Sequence, residues 1–169
     1  MKLVIALGGN ALMQRNEPPG MAVQWKNARV AASALAEVAR QHQLILTHGN
    51  GPQVGLLAMQ SESFKGAEPY PFDVLGAATE GMIGYILEQE LGNILGYDVP
   101  VATLLTRVEV DPNDPEFSDP SKFIGPIFEP DQIEALQAEY NWVFRQDGRK
   151  WRRVIASPQP QRILWHRPI

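Results

Sequence analysis

Two glycine–asparagine turns, Gly8-Gly9-Asn10 and Gly49-Asn50-Gly51, each close a short apolar run, and this pairing constrains the fold more than any other feature. The first follows Leu3-Val-Ile-Ala-Leu7 and the second follows Leu44-Ile-Leu-Thr-His48. Apolar runs of this length bounded by glycine read as buried strands. A glycine lets the backbone turn sharply and brings its N–H groups close to a ligand. Such N–H groups, above all at a helix N-terminus, form an anion site. Two of them at the carboxyl ends of neighbouring parallel strands would meet at one crevice, where open α/β sheets bind ligands. A phosphorylated substrate fits that description.

The intervening segments carry helical spacing. Ala28, Ala31, Leu35, Val38 and Ala39 define an amphipathic helix from about Met21 to His42. Pro52 suits the first position of a second helix running towards Phe64. Asp73 is the expected N-cap of a long helix built on Val74, Ala77, Ala78, Met82, Tyr85, Ile86 and Leu91, with Gly96 ending it. Val99–Leu105 reads as a third strand, so the order β-α-β-α-β predicts a parallel sheet with right-handed crossovers.

The texture changes near Glu109. Asp111-Pro-Asn-Asp-Pro115 and Ser118-Asp-Pro-Ser121 are turn-rich, and Lys122-Phe-Ile-Gly-Pro126 reads as a proline-stiffened loop. A short helix at Pro130–Tyr140 follows. Trp142–Gln146 and Lys150–Ile155 then form a hairpin around Asp147-Gly148. This region is expected to be an excursion from the sheet.

Bulk properties narrow the function classes. A net charge of −4 and the absence of a basic stripe argue against nucleic-acid binding. The cluster Arg149-Lys-Trp-Arg-Arg153 is an exception that a solvated hairpin edge explains. With no cysteine, disulfides and thiolate metal sites are excluded, and no metal site is expected. The N-terminus lacks a signal-peptide layout, and no apolar stretch approaches the ~20 residues of a membrane span. A cytoplasmic location without membrane association is therefore expected.

Several side chains are candidates for chemistry, each with a plainer reading beside it. Asn10 and Asn50 would donate to a phosphate or carbamate oxygen, or else occupy left-handed backbone positions that asparagine tolerates. Lys122 would bind phosphate, or simply face solvent. His48 would act in acid–base chemistry or hydrogen-bond beneath the loop. A helix cap and a solvated position account for Asp73 and Glu80. The glycine spacing fits neither a P-loop nor a dinucleotide fingerprint.

The motifs taken together resemble the carbamate kinases of the amino-acid kinase superfamily. The residues that carry the resemblance are Val4-Ile-Ala-Leu-Gly-Gly-Asn-Ala-Leu12, Thr47-His-Gly-Asn-Gly-Pro-Gln-Val-Gly55, and Asp73-Val-Leu-Gly-Ala77 with Gly81-Met-Ile-Gly-Tyr85. Val110-Asp-Pro-Asn-Asp-Pro115, Lys122-Phe-Ile-Gly-Pro126, and Trp151-Arg-Arg-Val154 with Ser157-Pro158 add to it. Phe123 stands where the family usually has proline, and Arg107 where it has glutamine.

The resemblance implies an α/β fold, a three-layer α/β/α sandwich with a mostly parallel sheet. It also implies transfer of a phosphoryl group between carbamoyl phosphate and ADP, giving carbamate and ATP, with Mg²⁺ accompanying the nucleotide. Gly8, Gly9, Asn10, Gly49, Asn50 and Gly51 would hold the carbamoyl phosphate, and Lys122, Asn10 and Asn50 would act in catalysis. It divides the chain into a carbamoyl-phosphate part at 1–108, a protruding subdomain at 109–153 and the start of a nucleotide half at 154–169. It further implies a homodimer. Because the family continues with a second, nucleotide-binding half, the chain is expected to be truncated and weakly active or inactive alone. The alternative is a non-catalytic carbamoyl-phosphate-binding or interaction remnant, with apolar surface left exposed.

Overall fold

The computed structural model describes residues 1–8, 11–14, 17–18 and 20–164. The chain divides into two compact units, Met1–Leu105 and a second beginning at Thr106.

In the first unit the strands β1 (Lys2–Leu7) and β2 (Gln43–His48) pair in parallel from Lys2↔Gln43 to Leu7↔His48. The helices are α1 (Met21–Ala39), α2 (Gly51–Ser63) and α3 (Phe72–Leu95). Ile5, Leu7, Leu44 and Leu46 point from the sheet onto Ala32, Leu35 and Ala36 of α1 and Leu91 of α3. A second cluster, Leu12, Ala28, Ile83, Ile86 and Leu87, seals the layer nearer the turns. α2 rests on α3 through Val54, Ala58 and Leu75.

Three expectations need correction. Both strands alternate in burial instead of being enclosed on both faces: Val4 is 68% and Ile45 52% exposed. Helices cover one face only, and a parallel pair normally needs both covered. The third strand at Val99–Leu105 does not form. A strand needs a partner's ladder, whereas this segment makes none and Thr103 instead approaches α3, donating from Oγ1 to Glu88 Oε2 at 2.8 Å. Asp73 lies in the first turn of α3, with Pro71 at the N-cap position. The expected Gly96 terminus is present, at φ 80° and with its N–H bonded to Gly92 O at 2.9 Å.

The phase of α3 also differs. Its buried stripe is Leu75, Thr79, Ile83, Ile86, Leu87, Glu90 and Leu91, while Val74 and Tyr85 are exposed. Glu90 is buried and accepts two hydrogen bonds from Arg29, at 3.0 and 3.1 Å, which tie α3 to α1.

The second unit contains β3 (Arg107–Val110), β4 (Lys122–Phe128), α4 (Ile133–Tyr140), β5 (Val143–Asp147), β6 (Lys150–Ile155) and β7 (Pro160–Leu164). β3 pairs with β7, and β4-β6-β5 form a three-stranded sheet, all antiparallel. The hairpin forms with Gly148 at φ 69°, a glycine at the first turn position as a type II′ turn requires. Lys122-Phe-Ile-Gly-Pro126 belongs to a strand and not a loop. Its breakers form a bulge, where Gly125 takes φ 66° and the register jumps from Ile124↔Arg153 to Ile127↔Arg152. Arg152 holds the bulge by donating to Gly125 O at 3.1 Å. The basic cluster is absorbed locally: Arg152 pairs with Asp147 and Arg153 lies 4.2 Å from the Trp142 ring centroid.

Two carboxylates clasp this unit's loops. Asp114 accepts from Glu116 N and Gln159 N, while Glu116 accepts from the N–H groups of Ser121 and Ser157. The Ser121 hydroxyl first, then these backbone N–H groups, hold the Glu116 carboxyl below its ordinary value of 4.5. A lowered folded-state pKa contributes stability above the unfolded value that is lost as pH falls through the folded one. Glu116→Gln is therefore expected to lower the melting temperature above pH 4.5. The difference from the parent should close as pH drops further. Thermal melts of the two chains from pH 7 to pH 3 test this, and a pH-independent difference would refute it.

Candidate functional site

Gly8 and Gly49 follow the carboxyl ends of the paired strands β1 and β2. The Gly49 N–H donates to Leu7 O at 3.0 Å, carrying the strand pairing into the second turn. Gly8 leaves β1 at the same end, and its carbonyl accepts from Ala11 N at 2.8 Å. Gly9 and Asn10 lie outside the described residues. The loop that follows is tethered to α1, because Asn27 Nδ2 donates to Leu12 O at 3.2 Å and to Glu17 Oε2 at 2.6 Å.

The role expected of the glycines, access of a ligand to backbone N–H groups, does not rest on left-handed backbone at this site. Among the described residues the glycines with positive φ are Gly96, Gly125 and Gly148, so Gly8, Gly49 and Gly51 are not there for left-handed backbone. Nor does crowding from the protein demand them, since a Cβ on Gly8 or Gly51 would meet nothing within 4 Å. What their bare Cα atoms provide is open space beside the backbone. That is the room a ligand needs to reach N–H groups.

Asn50 occupies the N-cap position of α2 at φ −136°, outside the left-handed region. Its side chain makes no capping bond to the helix. It donates instead from Nδ2 to Thr79 Oγ1 at 2.8 Å. The first N–H groups of a helix have no intrahelical partner. Pro52 has none to offer and Val54 N bonds to Asn50 O, which leaves the N–H groups of Gly51 and Gln53 without an intrahelical partner. Aligned peptide dipoles add positive potential there.

Beneath the turn lie buried polar groups that pattern reading missed. Gln53 and Thr79 are fully buried and Gln24 nearly so, and Gln53 Nε2 donates to Gln24 Oε1 at 3.3 Å, linking the first turns of α2 and α1. The available signal was a hydroxyl within the apolar stripe Leu75, Thr79, Ile83. His48 is half-buried with Nδ1 lacking a hydrogen-bond partner among the described residues. Asp73 is exposed on the first turn of α3. Lys122 belongs to the second unit, where it opens β4 opposite Ile155 and is exposed. No group of three or more His, Asp or Glu among the described residues could hold a metal ion. No described helix is long and apolar enough to cross a membrane.

Carbamate kinase of Rhizobium meliloti is 59% identical to this chain over all 169 residues. The chain is a carbamate kinase homologue. It spans about half the length of the curated relatives it matches, 52% of the Rhizobium meliloti carbamate kinase. Carbamate kinase from Giardia lamblia bound to citric acid superposes with a TM-score of 0.87 at 35% identity, covering 96% of this chain and 55% of that one. The same Giardia lamblia enzyme bound to AMP-PNP gives 0.77 over 96% of this chain and 54% of that one. These carbamate kinase likenesses assign the chain the α/β amino-acid kinase fold. No protein-family model matches the chain.

Proposed function

We propose that the chain binds carbamoyl phosphate between its two glycine–asparagine turns and contributes the phosphoryl-donor side of a transfer to ADP. The observation that carries this reading is the start of α2. There an asparagine at the cap position leaves its helix uncapped, beside glycines whose missing Cβ atoms leave open space. Gly8, Gly9, Gly49 and Gly51 give the ligand oxygens access to backbone N–H groups, and Asn10 and Asn50 add side-chain amides. Lys122 neutralises charge on the transferring phosphoryl group. The bond from phosphorus to the carbamoyl oxygen breaks as one forms to the terminal oxygen of ADP. Such a transfer needs positioning and charge stabilisation and no protein nucleophile. Mg²⁺ would arrive on the nucleotide phosphates, as that ion prefers. The functional assembly is a homodimer.

The half-length match to the relatives favours a second reading, a chain that binds carbamoyl phosphate without turning it over. Both readings require binding. Calorimetric titration of the chain with carbamoyl phosphate is expected to show saturable 1:1 uptake, weakened about tenfold or more in Asn50→Ala, the loss of one hydrogen bond to a charged ligand. Absence of saturable binding in the parent chain would overturn both.

A further inference from the structure

We infer that Thr79 is a positioning residue that fixes which way the Asn50 amide faces, and thereby lets the second turn distinguish a carbamoyl group from an acyl group. The inference rests on the carbamoyl-phosphate reading and extends it to specificity.

Thr79 sits on α3 and is fully buried. Its Oγ1 lies 3.0 Å from Leu75 O and 2.8 Å from Gly76 O, the carbonyls one turn back. A threonine hydroxyl has one hydrogen, and here a helix carbonyl takes it. Towards Asn50, 2.8 Å away, Oγ1 can then only accept. The nitrogen of the Asn50 amide must face Thr79, because the flipped amide would set Oδ1 against an oxygen with no hydrogen to give. This chemistry, and not the fit of the side chain, removes the twofold ambiguity of an asparagine amide.

With one Nδ2 hydrogen held in this way, Asn50 keeps Oδ1 and its second Nδ2 hydrogen for a ligand. That is one acceptor and one donor in a fixed order. A carbamoyl group offers the complement, an NH₂ donor and a carbonyl acceptor. An acetyl group of similar size offers the carbonyl alone. A site built to hydrogen-bond an NH₂ rejects the analogue that lacks it, since its own polar group is then left unpaired.

The test compares carbamoyl phosphate with acetyl phosphate by calorimetric titration of the full chain, carrying Thr79→Val, Thr79→Ala or Thr79→Ser. Valine and alanine remove the hydroxyl. They leave no carbonyl orphaned, because Leu75 O and Gly76 O lie within the α3 ladder. Circular dichroism melts confirm folding, and alanine serves where valine fails to fit. The parent is expected to prefer carbamoyl phosphate by about tenfold or more. Valine or alanine should cut that preference to within about threefold by weakening carbamoyl phosphate, and serine should retain it, as the loss of one net hydrogen bond implies. A parent chain with no preference overturns the inference, as does a Thr79→Val chain that weakens both ligands equally or neither. A parent chain that binds neither ligand overturns the carbamoyl-phosphate reading itself, and the inference falls with it.

Discussion

An alanine at Gly84 is expected to destabilise the first unit by about 1–3 kcal/mol, the usual cost of overpacking. An alanine at Gly92, about two turns further along the same helix, is expected to stabilise it by about 0.5–1 kcal/mol. The substitution is the same and so is the helix, and the sign differs for one reason. A Cβ on Gly84 would stand 2.1 Å from Thr103 Cγ2 and 2.9 Å from its Oγ1, far inside contact distance. Thr103 would have to move, and moving it breaks its bond to Glu88. A Cβ on Gly92 meets nothing within 4 Å, so only the helix preference of alanine remains. Denaturant unfolding of the two variants beside the parent chain measures both signs. Equal effects would show that the 99–105 segment does not lean on α3 in solution.

Incubated with carbamoyl phosphate, ADP and Mg²⁺, the 169-residue chain is expected to form ATP at a rate at least about a thousandfold below the 1–100 s⁻¹ usual for kinases. Phosphoryl transfer depends on holding both reactants in line and neutralising charge from both sides. The carbamoyl-phosphate side has candidates in the two turns and Lys122. Carbamate kinases are about twice as long as this chain, and by family resemblance their remaining half supplies the nucleotide site. A coupled hexokinase assay, run beside the binding titration, separates the two readings. Binding without turnover supports a remnant or a piece that needs a complement. ATP formation near an ordinary kinase rate would mean that this chain carries a complete site.

Much of the first unit was legible because its signals are local. The strand-like runs before Gly8 and Gly49, the proline opening α2 and the glycine closing α3 all act within a few residues of where they stand. The features that escaped depend on partners distant in sequence. β3 and β7 pair across about fifty residues, and no pattern at Arg107–Val110 announces Pro160–Leu164. The segment at 99–105 has strand composition, but composition cannot supply a ladder. α3 is apolar around most of its circumference, so its buried stripe could be read in more than one phase. Gly125-Pro126 marked a loop by residue type, and only pairing with β6 shows a bulged strand. At the candidate site, residue type singled out Asn50, yet the partner of its amide, Thr79, lies twenty-nine positions away.

The uncapped start of α2 also bears on how the protein is handled. If the start of α2 takes the phosphoryl group as proposed, its first-turn N–H groups and dipole would answer to oxyanions as a class, and phosphate or sulfate in a purification buffer would compete for the place of the substrate. Binding measured in phosphate would understate affinity, and a melting temperature taken there would overstate the stability of the empty chain. Chloride at matched ionic strength is the more neutral background. The choice of buffer anion thus becomes part of what any binding constant for this chain means.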